Sequence, residues 1–288
     1  MKRRVVILCL FCAAVSAQPV GAQPGRIVST APSITEVLYA LGLGDRVAGV
    51  TSLCTYPPEA CAKPKIGGFI DPDLEAIAAL KPDLVIVTTN PVRLSKRLQA
   101  LHLRSLEIDQ RNLPAIYESI RLIGDAAGVP DRATKLIASM RGGLDRIRAR
   151  SMGLPKVRTM FVVGRSPRSL DGLFIAAKSS FLNDLIQIAG GENVFGNAAG
   201  SYPPVSLEEV IARNPEVIID MGDMSNSETI TDAHKRELID LWGRMSSIAA
   251  VKEHRVFPIA SNIYLVPGPR VVEAAQAIFK MLHPESQK

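Results

Sequence analysis

Histidine and cysteine are scarce in this chain, with four of each in 288 residues. His102, His234, His254 and His283 show neither the HxH nor the HxxxH spacing that sets two imidazoles on one metal. No metal site and no cofactor are therefore expected. The GxSxG elbow, the GxxxxGK[ST] phosphate loop and the GxGxxG dinucleotide turn are also missing. Hydrolase, nucleotide-hydrolysing and dehydrogenase chemistry all lack their usual machinery here. Gly42-Leu43-Gly44 ends a helical pattern instead of opening one, which suits a helix C-cap and not a phosphate cradle. Aromatic residues make up 5% of the chain. No Lys/Arg cluster interleaved with aromatics occurs, which argues against a nucleic-acid partner.

Long apolar runs are lacking as well. The run at 5–15 spans only ~16 Å as a helix, against ~30 Å of bilayer hydrocarbon. Lys2-Arg3-Arg4 precede it, and Val20-Gly21-Ala22 place small residues at −3 and −1 before Gln23. The pattern predicts an export signal over 1–22 and a soluble protein in the periplasm, not one embedded in the membrane. Cys12 follows Leu10-Phe11 without the small residue a lipoprotein site requires, so a lipid anchor is not expected. Removing 1–22 takes three basic side chains and no acid, which lowers the net charge from +6 to +3. Cys54 and Cys61 are then the remaining cysteines. An oxidising compartment makes a local disulfide between them the expectation, with two free thiols as the alternative. So short a loop gives about 2–3 kcal/mol in the chain-entropy model.

What the chain does have is alternation. Short β-branched runs at 26–30, 47–50, 84–88, 105–108, 157–163, 217–220 and 255–259 are separated by helical patterns, as in parallel α/β layers. They fall into two groups. Between them, 130–153 carries Leu136, Ile137, Met140, Leu144 and Ile147 at helical spacing, with the Gly142-Gly143 pair as a weak point where the helix could bend. The expected architecture is α/β, with two similar parallel-sheet lobes at 23–128 and 155–288 joined by one long helix at 129–154.

An internal repeat supports two lobes of similar build. Leu74-Glu75-Ala76-Ile77 with Pro82-Asp83-Leu84-Val85-Ile86 recurs 133 positions later as Leu207-Glu208-Glu209-Val210 with Pro215-Glu216-Val217-Ile218-Ile219, and no gap is needed. Each copy reads as a short helix, a proline turn and a buried strand. Glu75 and Glu208 thus occupy equivalent places. A weaker echo pairs Glu36-Val37-Leu38 and Gly44-Asp45-Arg46-Val47 with Asn183-Asp184-Leu185 and Gly191-Glu192-Asn193-Val194.

Aromatics gather at Pro/Gly-rich turns: Tyr56-Pro57-Pro58, Gly67-Gly68-Phe69, Tyr202-Pro203-Pro204, and Ile263-Tyr264 before Pro267-Gly268-Pro269-Arg270. Taken singly, such residues are ordinary cover for lobe edges. Their recurrence suggests two aromatic walls where strand carboxyl ends form a crevice, suited to a broad, partly apolar ligand.

The stretch Arg26-Ile27-Val28-Ser29 to Pro32-Ser33-Ile34-Thr35-Glu36 resembles the class III periplasmic binding proteins, helical-backbone receptors for cobalamin, ferric siderophores, haem and some metals. Leu41-Gly42-Leu43-Gly44-Asp45, Leu80-Lys81-Pro82-Asp83-Leu84-Val85-Ile86 and Gly190-Gly191-Glu192-Asn193-Val194-Phe195 continue the likeness over nearly the whole mature chain. Tyr56-Pro57-Pro58 and Pro204-Val205-Ser206-Leu207-Glu208 look most like the cobalamin-binding members. The resemblance implies a corrinoid between the lobes, faced by Tyr56 and Tyr202, with Phe69, Thr88 and Ile263 at positions where those members carry tryptophan. Tyr264 and Arg270 are further candidates, and Arg270 with Arg165 would serve an anionic siderophore. Haem receptors carry an axial ligand near the Gly67-Gly68 turn, where Phe69 cannot ligate iron. The resemblance also implies that Glu75 and Glu208 dock on arginines of the two ABC permease subunits. An enzyme on nitrogenase-like lobes would need more cluster-binding cysteines than Cys54 and Cys61 supply.

Overall fold

The computed structural model describes residues 23–89, 93–223 and 230–287, so the export signal expected at 1–22 lies outside them. In the first lobe, β1 (Ile27–Ser29), β2 (Val47–Val50), β3 (Leu84–Thr88) and β4 (Ser105–Ile108) form a parallel sheet of order β2-β1-β3-β4. The helices α1 (Pro32–Ala40), α2 (Leu74–Ala79) and α3 (Leu94–Ala100) lie between these strands in the chain, and α4 (Leu113–Ala126) follows them. Because β1 and most of β3 are buried on both faces, their runs of Ile, Val and Leu show no alternation.

After α5 (Pro130–Ser151) come β5 (Val157–Gly164), β6 (Leu173–Ile175), α6 (Phe181–Ile188), β7 (Gly191–Asn193), β8 (Pro204–Val205), α7 (Leu207–Arg213) and β9 (Val217–Asp220). The chain ends with α8 (Asp232–Gly243), α9 (Ala249–Lys252), β10 (Val256–Pro258) and α10 (Val271–Leu282). The second sheet has the order β10-β9-β5-β6-β8, with β7 beside β5. The second lobe departs from the all-parallel expectation, because β6 runs antiparallel to β5 and β8 antiparallel to β6. Strands this short carry too few residues to show a period, so the sequence did not announce them.

Gly42 ends α1 at a φ of +69°. Its N–H donates to Tyr39 O and that of Leu43 to Leu38 O, each at 2.9 Å. That pair of bonds is the Schellman cap.

Helix α5 begins with proline in its first turn beside Asp131 and carries Arg148 and Arg150 in its last, so its ends are matched to the helix dipole. It packs on α4 of the first lobe and on α6 and α10 of the second. One hydrophobic cluster consequently runs through both lobes, joining Ile34, Leu38 and Ile86 to Phe161, Leu185 and Ile278.

The expected disulfide is not formed, because both cysteines are free thiols. The buried Cys54 sulfur lies 3.2 Å from Thr35 Oγ1 and 3.1 Å from Thr51 Oγ1. The 3-10 turn Pro58–Ala62 leaves Cys61 exposed, with its thiol donating to Thr55 O at 3.4 Å.

The two glycines of α5 do different jobs. A Cβ on Gly143 would come within 2.7 Å of Val272 on α10, whereas one on Gly142 would meet only Arg146 Nη1 at 3.8 Å. Gly142→Ala should therefore stabilise the protein by about 0.5–1 kcal/mol through helix propensity. Gly143→Ala should destabilise it by about 1–3 kcal/mol, less that same gain, because the helices must part. Urea unfolding of both variants measures this, and equal shifts of one sign would contradict the close approach of α5 and α10.

Candidate ligand-binding cleft

The cleft is built where the strands of the first sheet end. Ala31 and Ser33 follow β1, Ser52 to Tyr56 follow β2, Thr88 and Thr89 end β3, and Ile108 to Arg111 end β4; all of them except Cys54 line a cavity of about 540 Å³. Phe181, Ser201, Tyr202 and four residues of 262–267 close it from the second lobe. A crevice outside strand carboxyl ends is the usual ligand position in α/β sheets, and this volume suits a drug-sized ligand or part of a larger one.

Four of the seven residues singled out from the sequence stand in this wall: Tyr56, Phe69, Thr88 and Tyr202. Tyr56 and Phe69 come from the first lobe and Tyr202 from the second, with 42%, 36% and 41% of their surfaces open. The packing around Tyr202 pushes its hydroxyl pKa upward.

Ile263, Tyr264 and Arg270 do not line the cavity. The turn Asn262–Tyr264 is a 3-10 helix, whose period of about three sets Asn262 and Leu265 on one side, toward the cleft. Tyr264 falls on the other side, 5% exposed and 5.7 Å from the Phe161 ring centroid, and burial raises its hydroxyl pKa to about 12. Ile263 packs on the main core.

Arg270 is committed elsewhere. Its Nε donates to Glu36 Oε2 at 3.0 Å and its Nη2 to Glu36 Oε1, while the Tyr56 ring centroid lies 4.0 Å from its guanidinium carbon. The pair joins α1 of the first lobe to the start of α10 in the second, with side chains only 2% and 12% exposed. Burial raises the Glu36 pKa, and the Arg270 hydrogen bond and charge oppose that without cancelling it.

Arg165 is also withdrawn. Its side chain is 6% exposed, its Nε is 3.4 Å from Asp220 Oδ2, and it borders a separate cavity of about 440 Å³. Asp220 itself accepts from Trp242 Nε1 at 2.8 Å. Within the cleft, Asp109 and Arg111 pair with each other at 2.6 Å. The acidic groups lining the cleft are thus each matched by an arginine.

Similarity to known proteins agrees with this geometry. A family model described as periplasmic binding protein matches residues 27–262. The chain belongs to the periplasmic binding protein family. An ABC transporter substrate-binding lipoprotein of Bacillus subtilis is 29% identical over 92% of this chain and 82% of its own length. A vitamin B12-binding protein of Vibrio parahaemolyticus is 29% identical, covering 86% of each chain. A periplasmic heme-binding protein from Roseiflexus, solved in apo form, shares the fold with a TM-score of 0.74 at 26% identity, over 91% of this chain and 99% of its own.

In this periplasmic binding protein the repeat reaches further than the two glutamates. Phe69 and Tyr202 stand 133 positions apart, as do the N-caps Asp73 and Ser206 and the exposed Glu75 and Glu208. Each lobe thus carries a cleft aromatic, a helix cap four residues on, and a first-turn glutamate six residues on. Asp73 Oδ1 accepts from Glu75 N at 2.9 Å, and Ser206 Oγ from Glu209 N at 3.2 Å.

Sequence reading missed Gln110, Asp109, Phe181 and Asn262. Position at a strand end was the available signal for the first two.

Breaking the Glu36–Arg270 pair from one side should cost about 3–5 kcal/mol, because it strands a buried charge. Glu36→Ala should show that loss in urea, and Glu36→Leu combined with Arg270→Met should recover most of it. A single variant as stable as the wild type would mean that the pair does not hold the lobes.

Proposed function

We propose that this protein is the substrate-capturing component of an ABC importer, acts in the periplasm without catalysis, and takes a cobalamin-type corrinoid into its cleft. The carrying observation is a cleft with aromatic faces from both lobes and its acidic groups matched by arginines. A broad ring system gains from the aromatic faces, and neutral amide side arms need no free cation opposite them. The likeness to a vitamin B12-binding protein supports the same reading.

Haem is the second reading, supported by a heme-binding relative and by the two phenols in the cleft. One feature favours the corrinoid: Arg270 and Arg165 are buried against Glu36 and Asp220, which leaves haem carboxylates the exposed Arg111, itself shared with Asp109. The withdrawal of Arg165 and Arg270 weakens the anionic siderophore in the same way.

Glu75 and Glu208 are proposed as the docking contacts, one per lobe, for a permease of two transmembrane subunits. A first-turn glutamate is also favoured by the helix dipole alone, by about 0.3–1 kcal/mol. That effect does not require equivalent exposed carboxylates on both lobes, whereas docking on a two-fold partner does.

Calorimetric titration with cyanocobalamin should give one-to-one binding with Kd below ~1 µM, about −8 kcal/mol. Tyr56→Ala and Tyr202→Ala should each weaken it by about 1–3 kcal/mol. Saturable binding of haemin or a ferric hydroxamate without any cobalamin heat would reject the corrinoid reading. For docking, Glu75→Lys with Glu208→Lys should abolish uptake in cells carrying the cognate permease and leave soluble affinity unchanged. Full uptake by that double variant would leave only the capping role.

A further inference from the structure

The cleft wall carries few charges. Glu36, Asp109 and Arg111 are the charged side chains among the described residues lining it, and Arg111 is the one cation. Glu36 is sealed against Arg270 with 2% of its side chain exposed, whereas Arg111 and Asp109 keep 59% and 39% open. A ligand entering the cleft can therefore meet this second pair and not the first.

The turn that bears the pair is fixed on both sides. Asp109 directly follows β4, and Asn112 caps α4 by accepting from Ala115 N at 3.0 Å. Between them, Asp109 Oδ1 accepts from Arg111 N at 3.0 Å and Oδ2 accepts from Arg111 Nε at 2.6 Å. The first bond is an Asx turn, which an asparagine makes equally well. The second sets a carboxylate against the guanidinium and is not needed by the turn. The Asp109 carbonyl is held in addition by the buried Ser119 of α4, whose hydroxyl lies 2.5 Å away. An exposed ion pair contributes little to stability, so stability does not account for an aspartate here. What the aspartate changes is the charge that a ligand meets.

We propose that Asp109 is a specificity-determining residue: by neutralising Arg111 it makes the cleft reject anionic ligands and accept neutral ones of similar breadth. Specificity is a difference of affinities, and an unfavourable charge opposite the wrong ligand is one way to create it. A carboxylate arriving at Arg111 must displace Asp109 or sit beside it, and gains little in either case. A neutral amide arm meets no such opposition, because it brings no charge to the pair. The inference deepens the corrinoid reading and rests on it for the name of the neutral ligand, not for the rejection of anions.

The test uses the mature protein as wild type, Asp109→Asn, Arg111→Gln and the double variant, titrated with haemin and cyanocobalamin at low and high salt. Asp109→Asn should bind haemin about tenfold more tightly than the wild type, the order of effect of one unmatched charge near a protein surface. That gain should shrink as salt rises and vanish in the double variant. Cyanocobalamin affinity should change less than about threefold in Asp109→Asn, and its melting temperature should hold, since the Asx bond is kept and the lost pair is exposed. Haemin affinity in Asp109→Asn at or below that of the wild type, including no haemin binding at all, would overturn the filter. A gain that survives the loss of Arg111, or a cyanocobalamin loss as large as the haemin gain, would overturn it too. Failure of the wild type to bind cyanocobalamin would sink the corrinoid reading alone, because the haemin comparison stands without it.

Discussion

The ion pair between Glu36 and Arg270 is the constraint on which the cleft depends. It joins residues 234 positions apart, ties α1 to the start of α10, and lies almost wholly out of solvent. Burying two charges is expensive, and desolvation is the largest single influence on the pKa of both Glu36 and Arg270. The pair is therefore better understood as a registration device than as a large source of stability. It admits one relative position of the lobes, the one in which both carboxylate oxygens meet the guanidinium. The Tyr56 ring packed on Arg270 passes that registration to the cleft wall.

The helix α5 applies a second constraint of a different kind. It runs unbroken for 22 residues and shares one hydrophobic cluster with both lobes. A loop between lobes would permit hinge closure, whereas a helix packed on both resists it. With α5 and the Glu36–Arg270 pair both in place, the cleft is formed before the ligand arrives. Preorganisation of this kind lowers the ordering cost of binding, so a few aromatic contacts suffice for tight capture. It also keeps the two exposed glutamates at a constant spacing, which suits recognition by a two-fold partner.

Much of this was legible in the sequence, because two-lobe architecture leaves a repeat. The 133-residue offset located Glu75 and Glu208, and the same offset relates Phe69 to Tyr202 in the cleft wall. Strand runs were readable wherever both sheet faces are buried. Phase was not: whether Tyr264 or Leu265 faces the cleft depends on a single 3-10 turn. Long-range pairing was equally hidden, so Arg270 looked like a free cation until its partner on α1 appeared. The cysteines show the same limit, since seven residues of separation say nothing about one thiol settling between two threonine hydroxyls.

The central claim is that the lobes are held in register and accept the ligand without closing. Spin labels on the exposed positions of α3 and α8, introduced as Gln99→Cys and Asp240→Cys in a Cys61→Ser background, report the distance between lobes directly. Pulsed EPR with and without saturating cyanocobalamin should give the same mean distance within ~1 Å, the change typical of preorganised partners. A ligand-induced shift well above ~2 Å, the scale of hinge rearrangement, would contradict a cleft fixed by Glu36, Arg270 and α5.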